Sequence, residues 1–295
     1  MSADRSADSP APPSLEVLAS LRGSPCPVFA PGEVWLVGAG PGDPGLLTLD
    51  ALAALLQADV IFHDALVSPE LLHRARADAE KIFVGKRGGQ PSTSQEAINE
   101  LLLKSAALGK RVLRLKSGDP FLFARGGEEM LALAAAGVPC RVIPGITSGL
   151  AALASAAIPA TMRGVNQAVV LTTGHAANDQ ETSNWVEFAG CGVPIVFYMA
   201  LRNLQSILTK LIEGGIPATL PAAVIASATL PGQRIVISTL RDLPAEAETA
   251  HLQGPAVVVV GEIVRVRSQL LKLASDLQRR APELTPHRDC ACVDC

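Results

Sequence analysis

Glycines 38, 40 and 42 in VWLVGAGPGDPGLLT (residues 34–48) end an apolar run and precede a helical pattern. A backbone without Cβ can turn sharply there and approach a ligand closely. A dinucleotide-binding loop needs G-x-G-x-x-G, its third glycine packing helix on strand. Asp43 holds that third position here, and Pro41 and Pro44 stiffen the turn. Asp64 follows the next apolar run at about the distance a ribose contact requires. One glycine loop is weak evidence, and a tight strand-to-helix turn with no ligand also accounts for it. The absent third glycine and the repeated Gly-Asp-Pro turns, at 42–44 and 118–120, count against a nicotinamide-dependent oxidoreductase.

Other stretches carry candidate chemistry. Asp64 ends DVIFHD and Lys86 lies in VGKRGG, an acid and a base near the ends of successive apolar runs. Taken alone, they read more simply as a helix-capping aspartate and a solvated lysine. Asp119, before Pro120, suits an Asx-turn. His175 in TTGH is equally at home near a cleft or as a satisfied loop histidine. His287, Cys290, Cys292 and Cys295 crowd the C-terminal stretch HRDCACVDC without a familiar paired ligand spacing. The expectation there is a tail of reduced thiols and no metal.

The elements that must position these residues alternate regularly. VWLVGAG, DVIFHD, KIFVGK, RVLRLKSGD and PCRVIPG read as strands, separated by helical stretches such as LLTLDALAALLQA and SQEAINELLLKSAALG. Alternation at this length means βαβ units and a mostly parallel sheet. After a small-residue helix and loop at 146–164, QAVVLTTGH, VPIVFYMA, PAAVIAS, QRIVIS and GPAVVVVGEIV form a second strand-rich run. The expected architecture is two α/β domains, residues 32–145 and 165–272, with parallel or mixed sheets enclosing a cleft. Residues 1–31, Pro/Ser-rich with one short helical pattern at SLEVLASL (14–21), are expected as a flexible extension, and 273–295, where apolar periodicity fades, as a disordered Cys-rich tail.

Hydrophobic residues make up 48% of the 295-residue chain, aromatics only 3%, and the formal charge is −3. That balance argues against a nucleic-acid partner, which usually needs a basic surface. The most membrane-like stretch, 145–160, is interrupted by Gly, Ser, Thr and Pro and is shorter than the roughly 20 apolar residues of a span. No apolar run follows a basic N-terminus, and the six cysteines form no disulfide framework, so a cytoplasmic location is expected.

Taken together, GAGPGDPGLLT, HDALVS, VGKRGG, KSGDPFLFARGGEE, PGITSG and TTGH resemble the tetrapyrrole C-methyltransferases, in order, from about Gly32 to about Val266. The resemblance implies S-adenosylmethionine held between two α/β domains. Its contacts would be Pro41, Ser117, Gly118, Asp119, Leu122, Thr147, Ser148, Met199 and Ala228. It also implies two methyl transfers, to C2 and C7 of uroporphyrinogen III, giving precorrin-2. Asp64 would be the proton acceptor and Lys86 the proton donor. Arg125 and Arg163 would clamp substrate carboxylates, with Lys86 and Arg87 adding to them, and Glu128 would either orient Arg125 or cap the helix that follows. A homodimer is implied, with no membrane partner. No fused dehydrogenase or chelatase module is expected, so methylation stands alone. Within the same fold, a methyltransferase acting on a later corrin precursor is the nearest alternative, and binding without turnover a further one. Three residues depart from the family pattern: Ser117 and Ala124 stand where glycine is usual, and Met162 where histidine is usual. Serine at 117 would be costly if its φ had to be positive.

Overall fold

The structure, a computed structural model, describes residues 12–85, 93–174 and 180–280. Five strands, β1 (Val34–Gly38), β2 (Val60–His63), β3 (Glu80–Phe83), β4 (Val112–Lys116) and β5 (Cys140–Ile143), make an all-parallel sheet of order β3-β2-β4-β1-β5. Both faces of the central strands β1, β2 and β4 are covered, which is why β1 and β2 read as nearly unbroken apolar runs, whereas the edge strands β3 and β5 are partly exposed. Trp35, Val37, Ile61, Leu113 and Leu115 pack with Ala51, Ala54 and Leu55 of the helix Leu49–Gln57. Leu36, Val60, Phe62 and Val112 pack on the opposite face against Ile98, Leu102 and Leu133, from the helices Gln95–Ala107 and Gly126–Ala135. Thr48 and Ser94 start two of these helices, each accepting a backbone N–H three residues on, at 3.2 and 3.1 Å.

The second sheet holds β6 (Val170–Thr173), β7 (Ile195–Tyr198), β8 (Pro221–Ala226), β9 (Arg234–Thr239) and β10 (Ala256–Val260) in the order β6-β7-β10-β8-β9. Only β6 and β7 run parallel, so this sheet is mixed. The small-residue helix Ser148–Ser155 lies on it, with Ala152 and Leu153 against Val196, Ile225 and Val259. Two further helices, Gln180–Gly190 and Leu243–Thr249, escaped the sequence reading. The first is mostly polar in sequence, and the second is a short Leu-Pro start followed by alternating Ala and Glu.

The expected flexible extension at 1–31 is corrected from Leu15 onward. Ser14 caps the helix Leu15–Arg22, Gly23 closes it at φ 67°, and Leu18 is only 1% exposed. Arg22 pairs with Asp50 at 2.7 Å, and Phe29 stacks on Trp35 with ring centroids 4.1 Å apart. The short helical pattern SLEVLASL is the helix Leu15–Arg22, and what a Pro/Ser-rich composition did not reveal is that Leu18 and Phe29 are buried anchors. The expected tail is corrected too: the helix Val266–Arg280 carries regular structure past Leu273. Its Leu, Lys, Ala, Gln and Arg are strong helix formers, and an exposed helix needs no apolar stripe. The thiol cluster at 290–295 lies outside the described residues.

Candidate functional site

Between the two sheets lies a cleft of about 1210 Å³. Pro41, Ser117, Gly118, Asp119, Leu122, Thr147, Ser148, Met199 and Ala228, drawn from five separate stretches of sequence, all line it. Strand order brings the glycine turns together. Gly40 and Gly118 exchange backbone hydrogen bonds of 3.2 and 2.7 Å, zipping the loop after β1 to the loop after β4. A Cβ on Gly145, just after β5, would sit 2.2 Å from the Gly118 carbonyl oxygen and 2.8 Å from the Gly38 Cα, so only glycine allows this contact. Asp119 reinforces it. One carboxylate oxygen accepts from Phe121 N at 2.8 Å, the expected Asx-turn, and the other from Gly145 N at 3.0 Å. Asp119 thus lines the cleft while its two oxygens tie the second turn to the third.

Tyr198 performs a similar task on the far wall. Its hydroxyl accepts from Gly149 N at 3.1 Å and shares a 2.8 Å hydrogen bond with Thr147 Oγ1. It thereby caps from outside a helix whose own N-cap, Thr147, makes no side-chain cap bond. Burial pushes the Tyr198 hydroxyl pKa up. Asp43 N donates to Thr229 Oγ1 at 3.3 Å, linking the first turn to the second sheet's loops. Non-glycine residues with left-handed backbone gather here: Phe123 (φ 54°) and Met199 (φ 54°) line the cleft, and Ser227 (φ 49°) and Thr229 (φ 68°) flank Ala228. Such strain persists where the surroundings over-determine it, often around ligand sites.

The remaining candidates distribute unevenly. Asp64 immediately precedes the cleft-lining run Ala65–Pro69, and its carboxylate meets the Arg114 guanidinium at 2.5 Å. Lys86, Arg87 and His175 lie outside the described residues. Glu128 grips Arg125 through bonds of 2.9 and 2.5 Å rather than capping the helix, and this pair raises the Arg125 pKa and lowers that of Glu128. Arg125, Glu128 and Arg163 are exposed and are not among the residues lining the cleft. Ser117 carries no positive φ; the left-handed position is Gly118 (φ 69°), so the serine departure has no backbone cost. Ala124 lines the cleft, also without positive φ, and Met162 lies 40% exposed.

The sequence reading missed a buried ionic cluster. Glu129, fully buried, accepts from Lys116 Nζ at 2.8 and 2.9 Å, from Arg114 Nε at 3.1 Å and from Gln95 Nε2 at 3.1 Å. Desolvation, with help from the neighbouring Arg114 charge, pulls the Lys116 pKa down. A signal was present: Arg114 and Lys116 alternate with Leu113 and Leu115 in a strand whose two faces are both covered. Arg202, two residues beyond the β7 end loop's Ala200, is the only basic side chain lining the cleft among the described residues and was also missed.

Fold and site together define an α/β protein that encloses a small-molecule cleft between a parallel and a mixed sheet. Residues 33–244 match the family model of Tetrapyrrole (Corrin/Porphyrin) Methylases, and the chain belongs to that family. It is 50% identical over 246 residues to a uroporphyrinogen-III C-methyltransferase of Sinorhizobium sp., covering 83% of this chain and 88% of the relative. It is 48% identical over 239 residues to the siroheme synthase of Azotobacter vinelandii, where the match covers 81% of this chain and 52% of the relative. The chain therefore spans about half the length of the siroheme synthases it matches. Among solved structures, the uroporphyrin-III C-methyltransferase of Thermus thermophilus complexed with S-adenosylhomocysteine superposes with TM-score 0.67 at 37% identity, over 79% of this chain and 99% of that one. A cobalt precorrin-4 methyltransferase gives TM-score 0.71 at 29% identity, over 79% and 95%. No helix among the described residues is long and apolar enough to cross a membrane.

Proposed function

We propose that the protein is an S-adenosylmethionine-dependent uroporphyrinogen-III C-methyltransferase. The observation that carries this reading is the convergence of all nine expected cofactor contacts on one cleft. The cleft suits the cofactor chemically. Leu122, Met199 and Ala228 offer apolar walls, the glycine turns offer close backbone, and Thr147 and Ser148 open a helix N-terminus. A volume near 1210 Å³ exceeds what a nucleoside cofactor alone fills, leaving room for part of a macrocycle.

When bound, S-adenosylmethionine supplies an electrophilic methyl group to a substrate carbon, and S-adenosylhomocysteine leaves. The protein's part is chiefly alignment. The cleft loops fix the donor, while Arg125, held by Glu128, and Arg163 fork onto substrate carboxylates. Asp64 takes the proton that the methylated macrocycle sheds, and Lys86 donates one where the ring is reprotonated. Two rounds, at C2 and then C7, convert uroporphyrinogen III to precorrin-2 through precorrin-1. The division into domains 32–145 and 165–272, around the linking segment 146–164, belongs to this reading, as does a homodimer. The precorrin-4 methyltransferase likeness favours one second reading, a later corrin precursor as substrate.

The test is anaerobic incubation of the protein with S-adenosylmethionine and reduced uroporphyrinogen III, followed by product mass and absorbance. A gain of two methyl groups that falls steeply in Asp64→Asn and Lys86→Met is expected. Tight S-adenosylhomocysteine binding with no methyl gain would overturn the substrate assignment.

A further inference from the structure

Burying three charged side chains is costly, and such clusters seldom add net stability over a hydrophobic equivalent. Arg114, Lys116 and Glu129 are nonetheless no more than 2% exposed, at the cleft end of β4. Glu129 is saturated from three directions, by Lys116, Arg114 and Gln95. Arg114 is fixed on every edge: Nε on Glu129 at 3.1 Å, Nη1 on the Phe62 and Leu115 carbonyls at 3.4 and 3.3 Å, and Nη2 on Asp64 Oδ1 at 2.5 Å. Two cations share one buried carboxylate, so the surplus positive charge falls to Asp64, the one member that remains partly exposed, at 28%.

We propose that Arg114, anchored by Glu129, is a positioning residue that fixes the Asp64 carboxylate for proton transfer. This rests on the reading of Asp64 as proton acceptor. Arg114 occupies Oδ1, whereas Oδ2 has no hydrogen bond among the described residues. In the proton-transfer step the substrate C–H bond breaks, its electron pair stays in the macrocycle, and a new O–H bond forms at Oδ2. The guanidinium is a rigid fork, so it can serve Glu129, two carbonyls and Asp64 at once. A lysine at 114 keeps the buried charge and loses that simultaneous reach.

The experiment is a double-mutant cycle between Arg114→Lys and Asp64→Asn, read as single-turnover methyl transfer and as S-adenosylhomocysteine affinity by calorimetry. Arg114→Lys is expected to slow transfer by roughly tenfold to hundredfold, the scale of a misplaced catalytic group, with cofactor affinity and substrate KM unchanged. The double variant is expected to be no slower than Asp64→Asn alone, because Arg114 acts through a group already removed. A purely structural role would make the two losses multiply, and that outcome overturns the proposal. So does full activity in Arg114→Lys alongside an inactive Asp64→Asn. Full activity in Asp64→Asn itself would instead show that the underlying reading of Asp64 is wrong, and this inference would fall with it. Arg114→Met, in which Glu129 keeps both Lys116 bonds, completes the cycle if the lysine variant does not fold.

Discussion

Replacing Tyr198 by Phe removes one oxygen and keeps the ring that packs on Gly149 and sits 5.0 Å from the Phe123 ring. Its consequence can be worked from two hydrogen bonds. The Thr147 hydroxyl can turn to another partner, but the buried Gly149 N–H loses its acceptor in the first turn of the helix Ser148–Ser155. An unsatisfied buried donor costs about 1–3 kcal/mol, and a lost N-cap costs about 0.5–2 kcal/mol. These describe the same bond, so they are not summed, and chemical denaturation should show a loss of about 1–2 kcal/mol. Thr147 and Ser148 line the cleft at that helix start. A ligand that reimposes their geometry moves part of the cost into binding. Titration calorimetry with S-adenosylhomocysteine should therefore show a Kd raised by up to about tenfold, the equivalent of about 1.4 kcal/mol. Thr147→Val is the control: Tyr198 still accepts from Gly149, so its stability loss should stay below about 1 kcal/mol. Unchanged stability in Tyr198→Phe would refute the idea that the phenol caps this helix.

Asp119→Asn keeps the side-chain shape but replaces one of two accepting oxygens by an NH2 that faces a backbone donor, at Phe121 or Gly145. Hydrogen bonds to a charged acceptor contribute about 1.5–3 kcal/mol, so a loss of about 2 kcal/mol and a weaker cofactor Kd are expected; a neutral effect on both would remove Asp119 as the tie between turns. Asp59 predicts an acid limb of stability. The Arg111 side chain forks onto its carboxylate, and the Arg111 backbone N–H donates at 2.9 Å, which together pull its pKa from 3.8 to about 2. A pKa depressed by folding means the stabilisation is fully present above the unfolded value, near pH 4, and is lost as pH falls through about 2. Full conversion of the difference gives about 2 kcal/mol, and solvent screening of this partly exposed pair reduces it to about 1 kcal/mol. Denaturation at pH 5 and pH 2.5 should show Asp59→Asn losing less on acidification than the parent chain, whereas parallel losses would contradict the assignment.

Much of the first sheet was legible because parallel strands covered on both faces read as apolar runs, and the residues of VWLVG, VIFH and VLRLK fall where the pattern puts them. The cleft was legible as a set of turns, each recognisable from its own glycines and prolines. What no spacing rule conveys is how those turns meet. Gly38, Gly118 and Gly145 are far apart in the chain, yet β1 lies between β4 and β5, so their C-terminal ends emerge side by side and the three backbones touch. The same order explains the partner of Asp64. β2 neighbours β4 on its other side, which sets Phe62 opposite Arg114 in register and leaves Asp64 one step past the strand end, within reach of that guanidinium. The sequence shows an aspartate after one strand and an arginine inside another some fifty residues on, without a hint that they pair. It is the crossover from β3 to β4, placing the later strand inside the earlier pair, that turns a chain-distant arginine into the neighbour of the proposed proton acceptor.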